Sequence, residues 1–284
     1  MSWWTRMLRN MAGGGPREAG PPRRPGAASS FHLIWGLPGA PVAGSRGLGG
    51  ETGLTEVSAV LQVLEAPRTE ALYFWALQVD FLSGGRVWGG AHTGLQWNKR
   101  YPGYGAVNWG GYASPERGGF VLPGTTSPLD GFSDDPNTVA YAWERGRPYR
   151  LRVFRSPDIL GAWRAEVTDL VGGTTTTIRD LLPQPRGEAV DSFLVRPMVW
   201  SEVFADCDAP SVTVRWSDLA AVDEAGLVIR PEAVRVNYQA EQAGGCPNTT
   251  AVPDGAGGIL QVTNTRRLVE QDTRLTISGL AGPP

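Results

Sequence analysis

"TEVSAVLQVLEAPRTEALYFWALQVDFLSGGRVWGGAHTGLQW", residues 55–97, is the stretch whose reading decides the fold. It contains three apolar runs, 55–65, 71–82 and 86–97, separated by Ala-Pro-Arg-Thr-Glu and by Ser-Gly-Gly. β-Branched and aromatic residues fill the runs, and both separators are turn formers. Runs joined this closely read as neighbouring antiparallel strands. Alternation sharpens the reading. In 71–82, Tyr73, Trp75, Leu77, Val79 and Phe81 make one uniformly apolar face, and the other face turns polar at Gln78 and Asp80.

The same pattern continues outward. Strand-like segments recur at 105–112, 137–143, 148–155, 161–170, 173–181, 189–204, 210–219, 232–239 and 257–264. No segment holds a helical period beyond two turns; "SDLAAVDEAG" (217–226) comes nearest and reads as a helical turn or a loop. The fold expected is therefore all-β: a two-sheet antiparallel β-sandwich forming one domain over residues 31–280, with a barrel as the structural alternative. Residues 1–30 are rich in Gly, Pro and Arg without an apolar period, so they read as a disordered tail. The final "GLAGPP" reads as a frayed end.

Composition narrows the function classes. The chain has 284 residues, with 26 Lys+Arg against 28 Asp+Glu, and therefore lacks the broad basic surface of a nucleic-acid or anionic-membrane binder. No apolar run approaches the roughly 20 residues that span a bilayer. The N-terminal "MSWWTRMLRNMAGG" has no apolar core of a secretory signal, so localisation is unassigned. Two Cys and two His are too few and too scattered for a structural zinc site, and no cofactor motif is present. Asp130, Asp134 and Asp135 in "DGFSDDPN" read as a solvated turn more readily than as a calcium loop. Asn248 opens an Asn-Thr-Thr glycosylation pattern that reads as a polar loop. Cys207 and Cys246 are compatible either with free thiols or with a disulfide between turns.

Splitting the strands by face gives a candidate site. In 86–97, Val87, Ala91, Leu95 and Trp97 read as core, and Trp88, His92 and Gln96 point the other way, with Gly90 and Gly94 between them. In 192–204, Val195, Val199 and Val203 read as core, opposite Arg196, Met198, Trp200 and Glu202. Within one sheet, Gln78, Asp80, Trp88, His92, Gln96, Arg196, Trp200 and Glu202 would line one surface, with the two glycines leaving room for a ligand. Aromatic rings beside carboxylate, amide and guanidinium groups suit a sugar. The first expectation is a glycan-binding face. The second is a glycoside hydrolase or polysaccharide lyase on that face, using Asp80, Glu202 or His92. The third is an interaction sandwich without a small ligand.

"YFWALQVDF…GGAHTGLQWN", "AWERGRPYRLRV" and "FLVRPMVWSEVF" resemble the bacterial group known as domain of unknown function 3472, and more broadly the concanavalin-like lectin and glucanase sandwiches. The shared features are Gly-Leu-Gln at 94–96, Trp-x-x-Gly-x-x-Tyr at 143–149 and Trp-x-Glu at 200–202. The resemblance implies a jelly roll and carbohydrate contact; it transfers no catalytic residue.

Overall fold

The structure, a computed structural model, describes residues 28–37, 53–183 and 192–277. The expected tail up to residue 27 and the expected frayed end lie outside these. In chain order the strands are β1 (Ser29–Gly36), β2 (Leu54–Glu65), β3 (Tyr73–Ser83), β4 (Arg86–Trp97), β5 (Gly105–Ala113), β6 (Gly131–Phe132), β7 (Asp135–Ala140), β8 (Pro148–Arg155), β9 (Trp163–Asp169), β10 (Thr175–Leu181), β11 (Phe193–Val203), β12 (Thr213–Asp223), β13 (Val228–Ile229), β14 (Ala233–Tyr238), β15 (Thr250–Pro253), β16 (Ile259–Val262) and β17 (Arg274–Thr276).

All pairings between these strands are antiparallel. They form a sandwich of two layers. The first runs β17–β14–β1–β11–β3–β4–β5–β7–β6. The second runs β15–β16–β12–β2–β8–β9–β10, with β13 on β12. The layers join where Leu194 pairs with Leu54. Period-2 alternation sends Trp75, Leu77, Leu95 and Trp109 of the first layer against Val57, Leu61, Leu151 and Trp216 of the second, all in one buried core. The buried indoles find partners for their polar edges. Trp109 Nε1 donates to the Trp163 carbonyl at 3.0 Å, and Trp216 Nε1 to Gln261 Oε1 at 2.9 Å.

Four readings change. The loop between Glu65 and Tyr73 crosses from one layer to the other instead of closing a hairpin: β2 pairs with β12 and β8, and β3 with β11 and β4. Residues 217–223 continue β12 instead of turning as a helix, because Ala220 and Val222 pair with Ser58 and Glu56 of β2. Leu219 and Ala221 alternate into the core, and Asp218 sits at a positive φ of 48° within a register shift. Ser29 and Ser30 belong to β1 rather than to the tail; Phe31, Leu33 and Trp35 alternate into the core on a short strand flanked by breakers. In β11 a bulge places Arg196 at φ 53°, opposite the gap between the Val195–Asp80 and Met198–Gln78 pairs. The extra residue flips the alternation, so Leu194 takes the core face and Val195 stands on Asp80's side.

Cys207 and Cys246 are joined in a disulfide with a Cα–Cα distance of 5.5 Å. The sequence separation of 39 residues corresponds to about 4 kcal/mol in the loop-entropy treatment. The Asn248 carboxamide beside it turns inward, donating to the Cys207 carbonyl at 2.7 Å. Asp134 receives Arg100 at 2.8 Å, and Asp135 Oδ1 accepts the backbone N–H groups of Asn137 and Thr138, so both carboxylates are engaged within the protein. No group of three metal-ligating side chains occurs among the described residues.

Candidate functional site

The outward face of the first layer carries a groove of about 480 Å³. Its lining includes His32, Gln78, His92, Gln96, Asn108, Tyr112, Asn137, Thr138, Trp200 and Glu202. Strand register explains why they converge. The row through the middle reads His32–Trp200–Ala76–Gly94–Asn108–Thr138 across β1, β11, β3, β4, β5 and β7. Two residues along lies Met198–Gln78–His92–Gly110, and two the other way Glu202–Phe74–Gln96–Ala106. The central positions of the middle row are Ala76 and Gly94, which carry no polar side chain, and the polar groups stand around them.

Five of the eight sequence-predicted residues lie in this groove: Gln78, His92, Gln96, Trp200 and Glu202. Three do not. Trp88 is the extra residue of a bulge in β4, where Phe81 pairs with Gly89 and Leu82 with Val87. Its indole donates to the Ser83 carbonyl and lies 4.0 Å beneath the Arg117 guanidinium, outside the groove. Asp80 and Arg196 form an ion pair at 3.7 Å beyond the groove lining, where the bulge in β11 re-aims the arginine. Asp80 also lies six positions along β3 from Phe74, the partner of Glu202. That is roughly 20 Å, too far for the carboxylate pair of a glycoside hydrolase.

The glycines act differently from the expectation that they clear space for a ligand. A β-carbon on Gly94 would run into the Trp75 carbonyl, so its absence lets two strands approach. A β-carbon on Gly90 would meet the Asp80 carboxylate at 2.7 Å. The room is occupied by the protein itself.

The aromatic residues also differ from a sugar platform. Trp200 and Phe74 are each 5% exposed and pack edge to face, with centroids 5.0 Å apart. His92 and His32 stand at 5.5 Å and 6.2 Å from the Trp200 ring. Trp200 Nε1 donates to Gln78 Oε1 at 2.9 Å. These rings support the polar groups rather than offering open faces. The exposed ring is Tyr112, at 57%.

Electrostatics single out Glu202. It is half-buried, no hydrogen bond or ion pair reaches its carboxyl among the described residues, and burial raises its pKa. His92 is held neutral: desolvation pushes its pKa down to about 4. Burial also lowers His32, against hydrogen bonds with Asn237 that raise it. Gln96 Oε1 accepts from Asn98 Nδ2 at 2.9 Å, as Gln78 Oε1 does from Trp200, so both carboxamides keep their NH₂ groups for the groove.

His32, Asn108, Tyr112, Asn137 and Thr138 escaped the sequence reading. Alternation in "FHLIW" and "GAVNWGGY" does put His32, Asn108 and Tyr112 on this face. Nothing local marks Asn137, which reaches the site because β7 folds back on β5.

No family model and no curated protein matches this sequence. Among solved structures, the chain is similar to Scytalido-glutamic peptidase bound to a peptide-based transition-state analog, at 12% identity and a TM-score of 0.40, over 84% of this chain and 98% of that one. It is similar to SCP-B, a member of the eqolisin family of peptidases in complex with the tripeptide Ala-Ile-His, at 12% identity and a TM-score of 0.40, over 84% and 97%. It is also similar to the PL-14 alginate lyase of Aplysia kurodai, at 10% identity and a TM-score of 0.30, over 87% and 82%.

Proposed function

We propose that the groove is the active site of an acid–base hydrolase acting on acyl bonds of an extended chain. Glu202 is the acid–base residue, and Gln96 and Gln78 are donors to the oxygen that gains charge. The observation that carries the reading is the partly desolvated Glu202 carboxyl on an open groove, without a hydrogen-bond or ion-pair partner among the described residues. Stability does not call for such a group, and burial, which raises its pKa, suits a carboxyl that both takes and gives a proton.

Glu202 and Gln96 flank Phe74 in one row. Their Cα atoms are then about 10 Å apart, and their side chains rise around the space between. In the proposed reaction, ionised Glu202 takes a proton from a water that attacks the carbonyl carbon. The carbonyl π pair moves onto oxygen, where an amide N–H stabilises it. Protonated Glu202 then gives its proton to the leaving group as the acyl bond breaks. One carboxyl and amide donors suffice for this sequence, whereas sugar hydrolysis by paired carboxylates requires a second acid near Glu202.

The test is hydrolysis of unfolded casein and a fluorogenic peptide library between pH 3 and 7. Activity that survives Glu202→Gln would sink the reading.

A second reading, glycan recognition without chemistry, is favoured by the exposed Tyr112 ring beside amide groups. Calorimetric titration with neutral oligosaccharides checks it, and affinity unchanged in Tyr112→Ala would remove it.

A further inference from the structure

We propose that Arg179 is a positioning residue that locks the Asn137 carboxamide, so that Asn137 donates from the far wall of the groove to an acceptor oxygen of the bound chain. The inference rests on the proposed reading of the groove as the place where a chain lies, though not on the chemistry at Glu202.

Arg179, on β10, is only 4% exposed. It makes no ion pair among the described residues. Its Nη1 donates instead to the Pro136 carbonyl at 2.6 Å and to Asn137 Oδ1 at 3.0 Å. Burying a guanidinium without a carboxylate is unfavourable, so its directional hydrogen bonds must offset the lost hydration. Two glycines make the arrangement possible. A β-carbon on Gly124 would run into the guanidinium, and one on Gly110 would meet Asn137 Cγ at 2.5 Å. The Asn137 amide is therefore seated over Gly110 with its oxygen held by Arg179.

With the oxygen taken, the Nδ2 hydrogens remain, and no partner meets them among the described residues. Gln78 and Gln96 follow the same rule, their oxygens held by Trp200 and Asn98. Three carboxamides thus present NH₂ groups to one groove, and among the described residues no Lys or Arg lines it. A ligand matched to this wall is rich in acceptor oxygens and uncharged. An anionic chain would meet Glu202 and Asp135 with no Lys or Arg among the described lining residues.

The decisive variant is Asn137→Asp, which keeps an oxygen for Arg179, removes the donor, and adds a carboxylate charge that faces the guanidinium. Binding of an acetylated, amidated hexa-alanine is measured by calorimetry on Glu202→Gln protein, with and without Asn137→Asp. The expected result is about tenfold weaker binding at an unchanged or higher Tm. Equal affinity overturns the proposal. A second arm needs no ligand: ¹⁵N relaxation of the Asn137 side-chain amide should show backbone-like order in the unmodified protein and clear mobility in Arg179→Lys. An amide equally mobile in both overturns the proposal. If Glu202→Gln protein binds no hexapeptide, the active-site reading fails, and the relaxation arm alone decides whether Arg179 positions Asn137.

Discussion

The outer face of the second sheet and the groove on the first handle charge in opposite ways. On the second layer, Arg152 bridges Glu56 at 2.6 Å and Glu166 at 3.7 Å, and Arg150 and Arg230 share Asp218 at 2.7 and 2.5 Å. Arg164 joins Asp158 and Asp180, and the fully buried Asp254 carboxylate receives Arg215 at 2.5 Å. That face neutralises itself. On the first layer, among the described residues, the groove holds Glu202 without an ion pair, two imidazoles whose pKa values burial lowers, and carboxamides whose NH₂ groups meet no partner. A surface built for stability closes its hydrogen bonds internally, while a surface built for a ligand leaves some of them open.

The largest expected effect separates the two faces directly. Glu202→Gln should lower hydrolysis by roughly 10²–10⁴-fold and leave thermal stability unchanged or slightly raised, as a desolvated charge is removed. Asp254→Ala on the other face should do the reverse. It strands Arg215 and frees the backbone N–H groups of Ala256 and Gly258, lowering stability by about 3 kcal/mol. A Glu202→Gln protein that unfolds more readily than Asp254→Ala, by chemical denaturation, would break the comparison.

Acid should next expose His92. Its folded pKa of about 4 lies below the ordinary imidazole value of 6.5, so its contribution is present above the unfolded value and lost as pH falls toward 4. The loss should approach roughly 3 kcal/mol and shrink in His92→Gln, measured as the pH dependence of the urea midpoint.

The smallest effects have opposite signs on the two faces. Glu202's raised pKa makes its contribution full below the unfolded value and lost as pH rises through the folded one. For Asp218, burial acts upward, but hydrogen bonds from Arg230 and Arg150 overcome it and depress the pKa. Its contribution is therefore present above the unfolded value and lost as pH falls through the folded one. Because Asp218 is partly exposed, each difference should stay below about 1 kcal/mol. Urea midpoints of Glu202→Gln and Asp218→Asn against pH should slope oppositely relative to the parent; parallel slopes would remove the distinction.

Much of this was legible in residues 55–97. Ser-Gly-Gly gave the β3–β4 hairpin, and alternation gave the core face and the placement of Gln78, His92 and Gln96, because side-chain direction along a strand is a local property; Ala-Pro-Arg-Thr-Glu instead carries the chain from one layer to the other. Trp88 and Arg196 were misplaced for the same reason. Each sits at a bulge, and one inserted residue reverses or re-aims everything read by alternation. Asn137 was invisible because its neighbours in sequence say nothing about Gly110 or Arg179.

By itself, the sequence determined the class of the fold, most strands of the groove sheet and, away from the bulges, which face of each strand is apolar. These follow from a period of two and from turn chemistry, which act over a few residues. Only the tertiary structure decided that Asp80 and Glu202 lie apart, that glycines serve strand contact rather than a ligand, and that Cys207 meets Cys246. Register, bulges and the folding of one sheet onto another set distances between residues far apart in the chain, and no local pattern encodes those distances.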